Sequence, residues 1–380
     1  MEWRVPLADL DYGVEEEEAV LKVLRSKWLT MGGVTQEFES AFAAKVRAKH
    51  AFAVSNATEA LHLACLALGV GPGDEVITPS LSFVATSNAV LYTGADVRFA
   101  DICSLDDLTI SPQEIEEKIT PKTKAVTVMH YGGYPCRMPE ILEIAQAHGV
   151  AVIEDAAHCP GASLDGRMLG TWGEIGCFSF FSNKNLSTGE GGMVVTDRDD
   201  LAEKIRYMRS HGMTTLTYDR HKGHAYSYDV VELGYNYRID EIRAALGGVQ
   251  LAKLDKNNHL REQWTHLYWH LLEGSGLGLP FRSTAGQPAY HIFPMLLPEG
   301  MDRYRFIDQM RAHGIQTSIH YPPTHTFQYY REKYGQTSLP VTEHAAGREV
   351  TLPLYPGMGE DGVRLVMEAV RDALTVLQAQ

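Results

Sequence analysis

Four short stretches of this 380-residue chain carry residue types at spacings that could do chemistry. In GVAVIEDAAH an apolar run ends at Glu154, Asp155 follows, and His158 stands three residues on. An acid at the carboxyl end of a buried strand sits where doubly wound sheets hold their ligands. The same acid before Ala-Ala also suits a helix N-cap. In GCFSFFSNKNLSTGEGGMVVT, residues 176–196, Lys184 lies just past one apolar strand, and Gly189, Gly191 and Gly192 precede the next. Most lysines are exposed loop residues. An amine of shifted pKa, however, forms a Schiff base with a carbonyl cofactor. The third stretch, SNATEAL at 55–61, reads as a strand-to-helix turn whose free N–H groups suit a phosphate, with the Thr58 hydroxyl added. The fourth, ELGYNYRIDE at 232–241, sets Asn236 and Arg238 ahead of a long helix, where Asn236 is equally a plain turn residue.

The elements that must position these residues alternate between strand and helix. Residues 51–54, 75–78, 96–100, 124–129 and 150–154 read as buried strands. Helices are expected over 57–68, from about Ser82, and near 111–118 and 138–148. That order implies an α/β fold with a mostly parallel sheet covered by helices on both faces. Beyond about residue 238 the texture changes. Ile239, Ile242, Leu246 and Val249 begin an amphipathic helix that reaches toward Leu272, long enough to connect two domains. A strand at 290–296, a helix at 302–313, a strand near 315–319 and a terminal helix through Val363, Val366, Val370 and Leu374 then read as a small α+β domain. The expected division is a large domain over 1–250 and a small C-terminal one over 251–380.

Composition narrows the function. Hydrophobic residues are 44% and charged residues 22%, which suits a packed globular protein. With 34 Lys and Arg against 48 Asp and Glu, the formal net charge of −14 disfavours nucleic acid and anionic membranes as partners. The polar residues within 76–95 argue against a membrane span, and the N-terminus has no signal-peptide pattern. Five cysteines without a C-x-x-C pair give no disulfide frame or zinc site and point to a reducing cytoplasm. No metal-ligand spacing links the histidines to Cys159 and Cys177.

Taken in order, the stretches resemble the DegT/DnrJ/EryC1/StrS family of sugar aminotransferases, a branch of the fold-type I pyridoxal-phosphate (PLP) enzymes. The matching text is WLTMGG at 28–33, SNATEALH at 55–62, PSLSFVATSNA at 79–89 and IEDAAH at 153–158. It continues with FSFFSNKNLSTGEGG at 178–192, LGYNYRIDEIRAALGGVQL at 233–251 and IHYPPTH at 319–325. The resemblance covers nearly the whole chain.

It implies that Lys184 holds PLP covalently and carries the proton of transamination, and that Asp155 pairs with the pyridine nitrogen. His158 would lie beside the ring oxygen, or be a satisfied interior histidine. Phe83 would stack on the ring, or belong to ordinary core packing. Ala57, Thr58 and Ser179 would cradle the phosphate; many relatives carry Gly at the first of these, and a backbone donor survives that change. Asn236 would reach the phosphate of a neighbouring subunit, making a homodimer with shared active sites. Arg238 would receive the donor carboxylate or form a surface salt bridge. His320, Tyr321 and His325 fall in the stretch that the family folds over its substrate.

The reaction expected is cytoplasmic: an amino donor, L-glutamate, converts PLP to pyridoxamine phosphate, which aminates a nucleotide-linked keto-deoxysugar for a surface polysaccharide or antibiotic sugar. Three alternatives stand beside it. One is a cyclic ketone without a nucleotide, as for aminocyclitols. Another is the dehydratase branch, which the intact Lys184 disfavours. The last is a non-catalytic PLP-binding sensor.

Overall fold

The computed structural model describes residues 3–215 and 227–378. Its elements run α1 (Val14–Ser26), α2 (Gly33–Val46), β1 (His50–Val54), α3 (Ala57–Ala67), β2 (Glu75–Pro79), α4 (Ala85–Tyr92), β3 (Asp96–Ala100), α5 (Pro112–Lys118), β4 (Thr123–Met129), α6 (Met138–His148) and β5 (Ala151–Asp155). A short hairpin, β6 (Ser163–Leu164) and β7 (Arg167–Met168), leads to β8 (Ile175–Ser179), β9 (Gly192–Thr196) and α7 (Asp199–Met208). The later part holds α8 (Glu241–Leu271), β10 (Phe293–Leu296), α9 (Arg303–Ala312), α10 (Gln328–Tyr334), α11 (Pro340–Arg348), β11 (Glu349–Leu352) and α12 (Gly359–Gln378).

Seven strands form one sheet in the order β1-β9-β8-β5-β4-β2-β3, and β9 alone runs against the rest. β8 and β9 are buried along their whole length, and β5 is buried beyond its first residue. Strands covered on both faces read as continuous apolar runs, which is why the sequence shows them clearly. The reversed β9 has a consequence for function. Its first residue, Gly192, pairs with the last residues of both neighbours, Ser179 and Val54. The ends of β1, β5 and β8 therefore share one edge with the start of β9.

A second, two-stranded sheet pairs β10 with β11, and its Phe293, Met295, Val350 and Leu352 pack with Val366 and Val370 of α12. Here the structure departs from expectation. Residues 315–319 make only the single bridges Val5 to Ile315 and Ser318 to Thr351, while 349–352 supplies the strand. Glu349 opens that strand from a buried position, an acid that breaks the apolar pattern. α4 begins at Ala85 rather than Ser82, because Thr86 and Ser87 donate to Phe83 and Val84 in tighter i to i+3 bonds.

α8 runs unbroken through residue 250. Its Ala244 and Leu254 pack with Phe38 and Phe42 of α2, and its Tyr268 packs beside Phe293 of β10. The contact with α2 is close: a Cβ on Gly247 would lie 2.5 Å from the Phe38 ring. At its start, the Glu241 carboxylate accepts from the N–H groups of Gly32, Val34 and Thr35 at 2.8–2.9 Å, and from the Thr35 hydroxyl at 2.6 Å. A side chain 206–209 residues away thus caps α2, and this fixes the WLTMGG turn. Among the described residues, no helix is long and apolar enough to cross a membrane.

Candidate active site

β5 ends on Asp155, held by its ladder to β4 and β8. No helix follows, so the N-cap reading of Asp155 does not apply. Its Oδ2 accepts from the Thr86 hydroxyl at 2.7 Å and its Oδ1 from the Ala157 N–H at 3.2 Å. With the Thr86 proton directed to the carboxylate, Ser82 donates to Thr86 Oγ1 at 2.6 Å. Burial pushes the Asp155 carboxyl above its ordinary range, and these bonds and the Lys184 charge oppose that rise.

Lys184 follows β8 in a turn that its own N–H closes on the Phe181 carbonyl at 2.9 Å. The side chain is half-buried. Burial brings its ammonium down to about 8, against the pull of Asp155. An amine of that pKa opposite a buried carboxylate can act as nucleophile and as proton carrier near neutral pH.

The facing wall is made of imidazoles and a tyrosine. His158 Nδ1 accepts from the Gly132 N–H at 3.2 Å, so its proton is on Nε2, 3.1 Å from the Tyr321 hydroxyl oxygen that accepts it. His320 lies with Nδ1 2.8 Å from Thr351 Oγ1, and its N–H donates to Glu349 Oε2 at 2.8 Å. Burial and the Lys184 charge hold His158 far below its ordinary value and bring His320 to about 3; both are neutral. Phe83 is 56% exposed, which rules out core packing, and its ring lies 6.0 Å from that of Tyr321.

The start of α3 forms a third side. Asn56 takes two helix donors: its Oδ1 accepts from the Glu59 N–H at 2.9 Å and its carbonyl from Ala60. The N–H groups of Ala57 and Thr58 are those left over by this cap. A Cβ on Gly192 would stand 2.9 Å from the Ala57 nitrogen, so only glycine lets β9 bring its partner Ser179 this close to α3.

Asp155, His158, Lys184, His320, Tyr321 and Phe83 therefore come together, with Ala57, Thr58 and Ser179 along the same edge. Three expected residues do not join them. His325 is committed elsewhere, with Nδ1 2.6 Å from Ser80 Oγ and Nε2 3.2 Å from Glu343. Arg238 donates to Ser210 Oγ at 3.1 Å. Asn236 is exposed and bridges Ser210 through its backbone. Sequence reasoning missed Thr86, Glu349 and His291. Thr86 left one signal, a hydroxyl one helical turn after Ser82 within the PSLSFVATSNA match.

The description "DegT/DnrJ/EryC1/StrS aminotransferase family" matches residues 11–371. The chain belongs to that family. It is accordingly an enzyme, a transaminase. The spore coat polysaccharide biosynthesis protein SpsC of Bacillus subtilis is 42% identical over 368 residues, 95% of this chain and 94% of that one. DesV of S. venezuelae, solved in complex with a ketimine intermediate, is 34% identical with a TM-score of 0.90 and 98% of each chain covered. The aminotransferase TlmJ of Streptoalloteichus hindustanus is 32% identical with a TM-score of 0.90, covering 98% of this chain and 99% of its own.

Proposed function

We propose that this family member transfers an amino group from L-glutamate to the ketone of a nucleotide-linked deoxysugar, with PLP bound at Lys184. The observation that carries this reading is the placement of Lys184, in the turn after β8, at the sheet edge where β5 ends on the buried Asp155, with burial bringing the amine down to about 8. The residues fit that cofactor. Asp155 offers a carboxylate to a ring nitrogen, Phe83 an open aromatic face, and Ala57, Thr58 and Ser179 donors for a phosphate. When bound, PLP supplies a carbonyl and an electron sink.

The chain's own residues do the rest. Lys184 would hold the cofactor through its amine, and the free amine Nζ would carry the proton. Asp155, held in place by Thr86, would face the ring nitrogen and favour its protonated form. His158 and Tyr321, joined by one hydrogen bond, face the same space. The name of SpsC ties that protein to polysaccharide biosynthesis, which favours a sugar as acceptor here.

Asn236 acts on the site of a second copy. It follows closely in the chain on the exposed apolar residues Tyr228, Val230, Val231 and Leu233, the last 81% exposed, which a partner copy would cover. The unpaired state of all five cysteines fits a reducing cytoplasm.

The test is to incubate the purified protein with L-glutamate and a nucleotide-linked keto-deoxysugar, and to follow products by mass spectrometry. Amino sugar and 2-oxoglutarate in equal amounts are expected. Turnover of a keto-inositol alone would overturn the substrate, and stable cofactor binding without response to any amine donor would overturn catalysis.

A further inference from the structure

His325 does not join the site, yet it is buried and both its ring nitrogens are engaged. Nε2 lies 3.2 Å from Glu343 Oε1, a carboxylate oxygen that also accepts from the Leu339 N–H at 2.9 Å. Facing an acceptor, Nε2 carries the ring proton. Burial holds the ring below its ordinary value, against the pull of Glu343 and Asp101, so the imidazole is neutral near neutral pH. Nδ1 is then a bare acceptor, and the Ser80 hydroxyl, 2.6 Å away, donates to it. The His325 N–H donates back to Ser80 Oγ at 3.2 Å. One histidine thus clasps one serine through both ring and backbone.

The two ends of this clasp lead to opposite sides of the site. Ser80 follows β2 and opens the turn into α4, which carries Phe83. In that turn Ser82 donates to Thr86 Oγ1 at 2.6 Å, and Thr86 donates to Asp155 Oδ2 at 2.7 Å. His325 closes the segment that holds Tyr321, whose hydroxyl lies 3.1 Å from His158 Nε2 and whose ring lies 6.0 Å from that of Phe83. Thr324 adds two stitches between the same segments. Its N–H donates to the Ser80 carbonyl at 2.9 Å, and its hydroxyl to the Ser82 carbonyl at 3.4 Å. Ser80, Ser82, Thr86, Thr324 and His325 are all buried, which shields these bonds from water.

We propose that His325 is a positioning residue, whose clasp on Ser80 fixes the turn bearing Phe83 and Thr86 against the segment bearing Tyr321. It moves no proton and acts through Ser80 alone. The roles of Phe83 and Asp155 toward a cofactor rest on the reading of Lys184 as the cofactor lysine; the clasp itself does not.

The experiment follows hydrogen exchange of the full-length, cofactor-free protein by mass spectrometry. In His325→Phe the amides of residues 84–88 should exchange about tenfold faster, as expected for the loss of one buried hydrogen bond, while peptides from β5 and α8 keep their rates. His325→Asn, whose side-chain oxygen takes the place of Nδ1 as acceptor, should recover most of the protection. Ser80→Ala removes the same bond from the other side and serves if His325→Phe does not fold. In the double variant it should add nothing. The loaded protein gives a second readout: in the half-reaction with L-glutamate, His325→Phe should lower the maximal rate about three- to tenfold and leave the half-saturating glutamate concentration unchanged. Unchanged exchange at 84–88, equal acceleration in every peptide, additive losses in the double variant, or a raised half-saturation at full rate would each overturn the proposal. Failure of the underlying reading shows separately: borohydride reduction of the wild-type protein with PLP would then label some residue other than Lys184.

Discussion

On the sheet side of Lys184, Asp155 and Ser179 stand at strand ends whose positions are set by ladder register. On the opposite side, His291, His320 and Tyr321 come from segments outside the named strands, and Glu349 opens a four-residue one. The first wall is placed by backbone. The second leans in addition on side-chain hydrogen bonds to buried titratable groups, reaching from Asn185 to His291 and from Thr351 to His320. A wall held by backbone keeps its geometry when one side chain changes, whereas a wall held by titratable groups should respond to pH.

The largest effect is expected in the first wall. Asp155→Asn should keep cofactor bound and slow the half-reaction with L-glutamate by about 10²–10³-fold. Stopped-flow absorbance would check this, and full activity would remove Asp155 from its assigned role.

The second wall should show itself in stability. Burial drives the Glu349 carboxyl from 4.5 up to about 8. The folded protein therefore binds that proton more tightly than the unfolded chain does. The stabilisation is complete below 4.5 and is lost as pH rises through about 8. Wild-type protein should lose on the order of a few kcal/mol across that window from this group, and Glu349→Gln should flatten the slope. Denaturant unfolding at several pH values measures it, and parallel slopes would mean that the two walls do not differ in this way.

The smallest effect separates positioning from chemistry within the first wall. Thr86→Val takes one donor from Asp155 and should cost about tenfold in the same half-reaction, well short of Asp155→Asn. Equal losses would show that hydroxyl and carboxylate act as one unit.

How much of this was legible in the sequence follows the same division. Asp155 and Lys184 stood out because buried strands print continuous apolar runs: Asp155 ends β5, and Lys184 lies in the turn beyond the end of β8 at Ser179. The small sheet was half missed, because Glu349 interrupts the pattern that marks a strand and its burial depends on His320 and Thr351. His325 looked like a substrate residue by its place in IHYPPTH, yet both its nitrogens are used against Ser80 and Glu343. His291 gave no signal, since its partner Asn185 lies 106 residues away and only the folded chain brings the two together.

The central claim is that Lys184 is the amine on which the cofactor and the chemistry depend. The visible absorption spectrum of the purified protein, before and after addition of L-glutamate, tests it most directly. A yellow band that bleaches with glutamate in the wild type and is missing from Lys184→Ala is the result expected. A band that persists in Lys184→Ala, or that ignores every amino donor in the wild type, would contradict it.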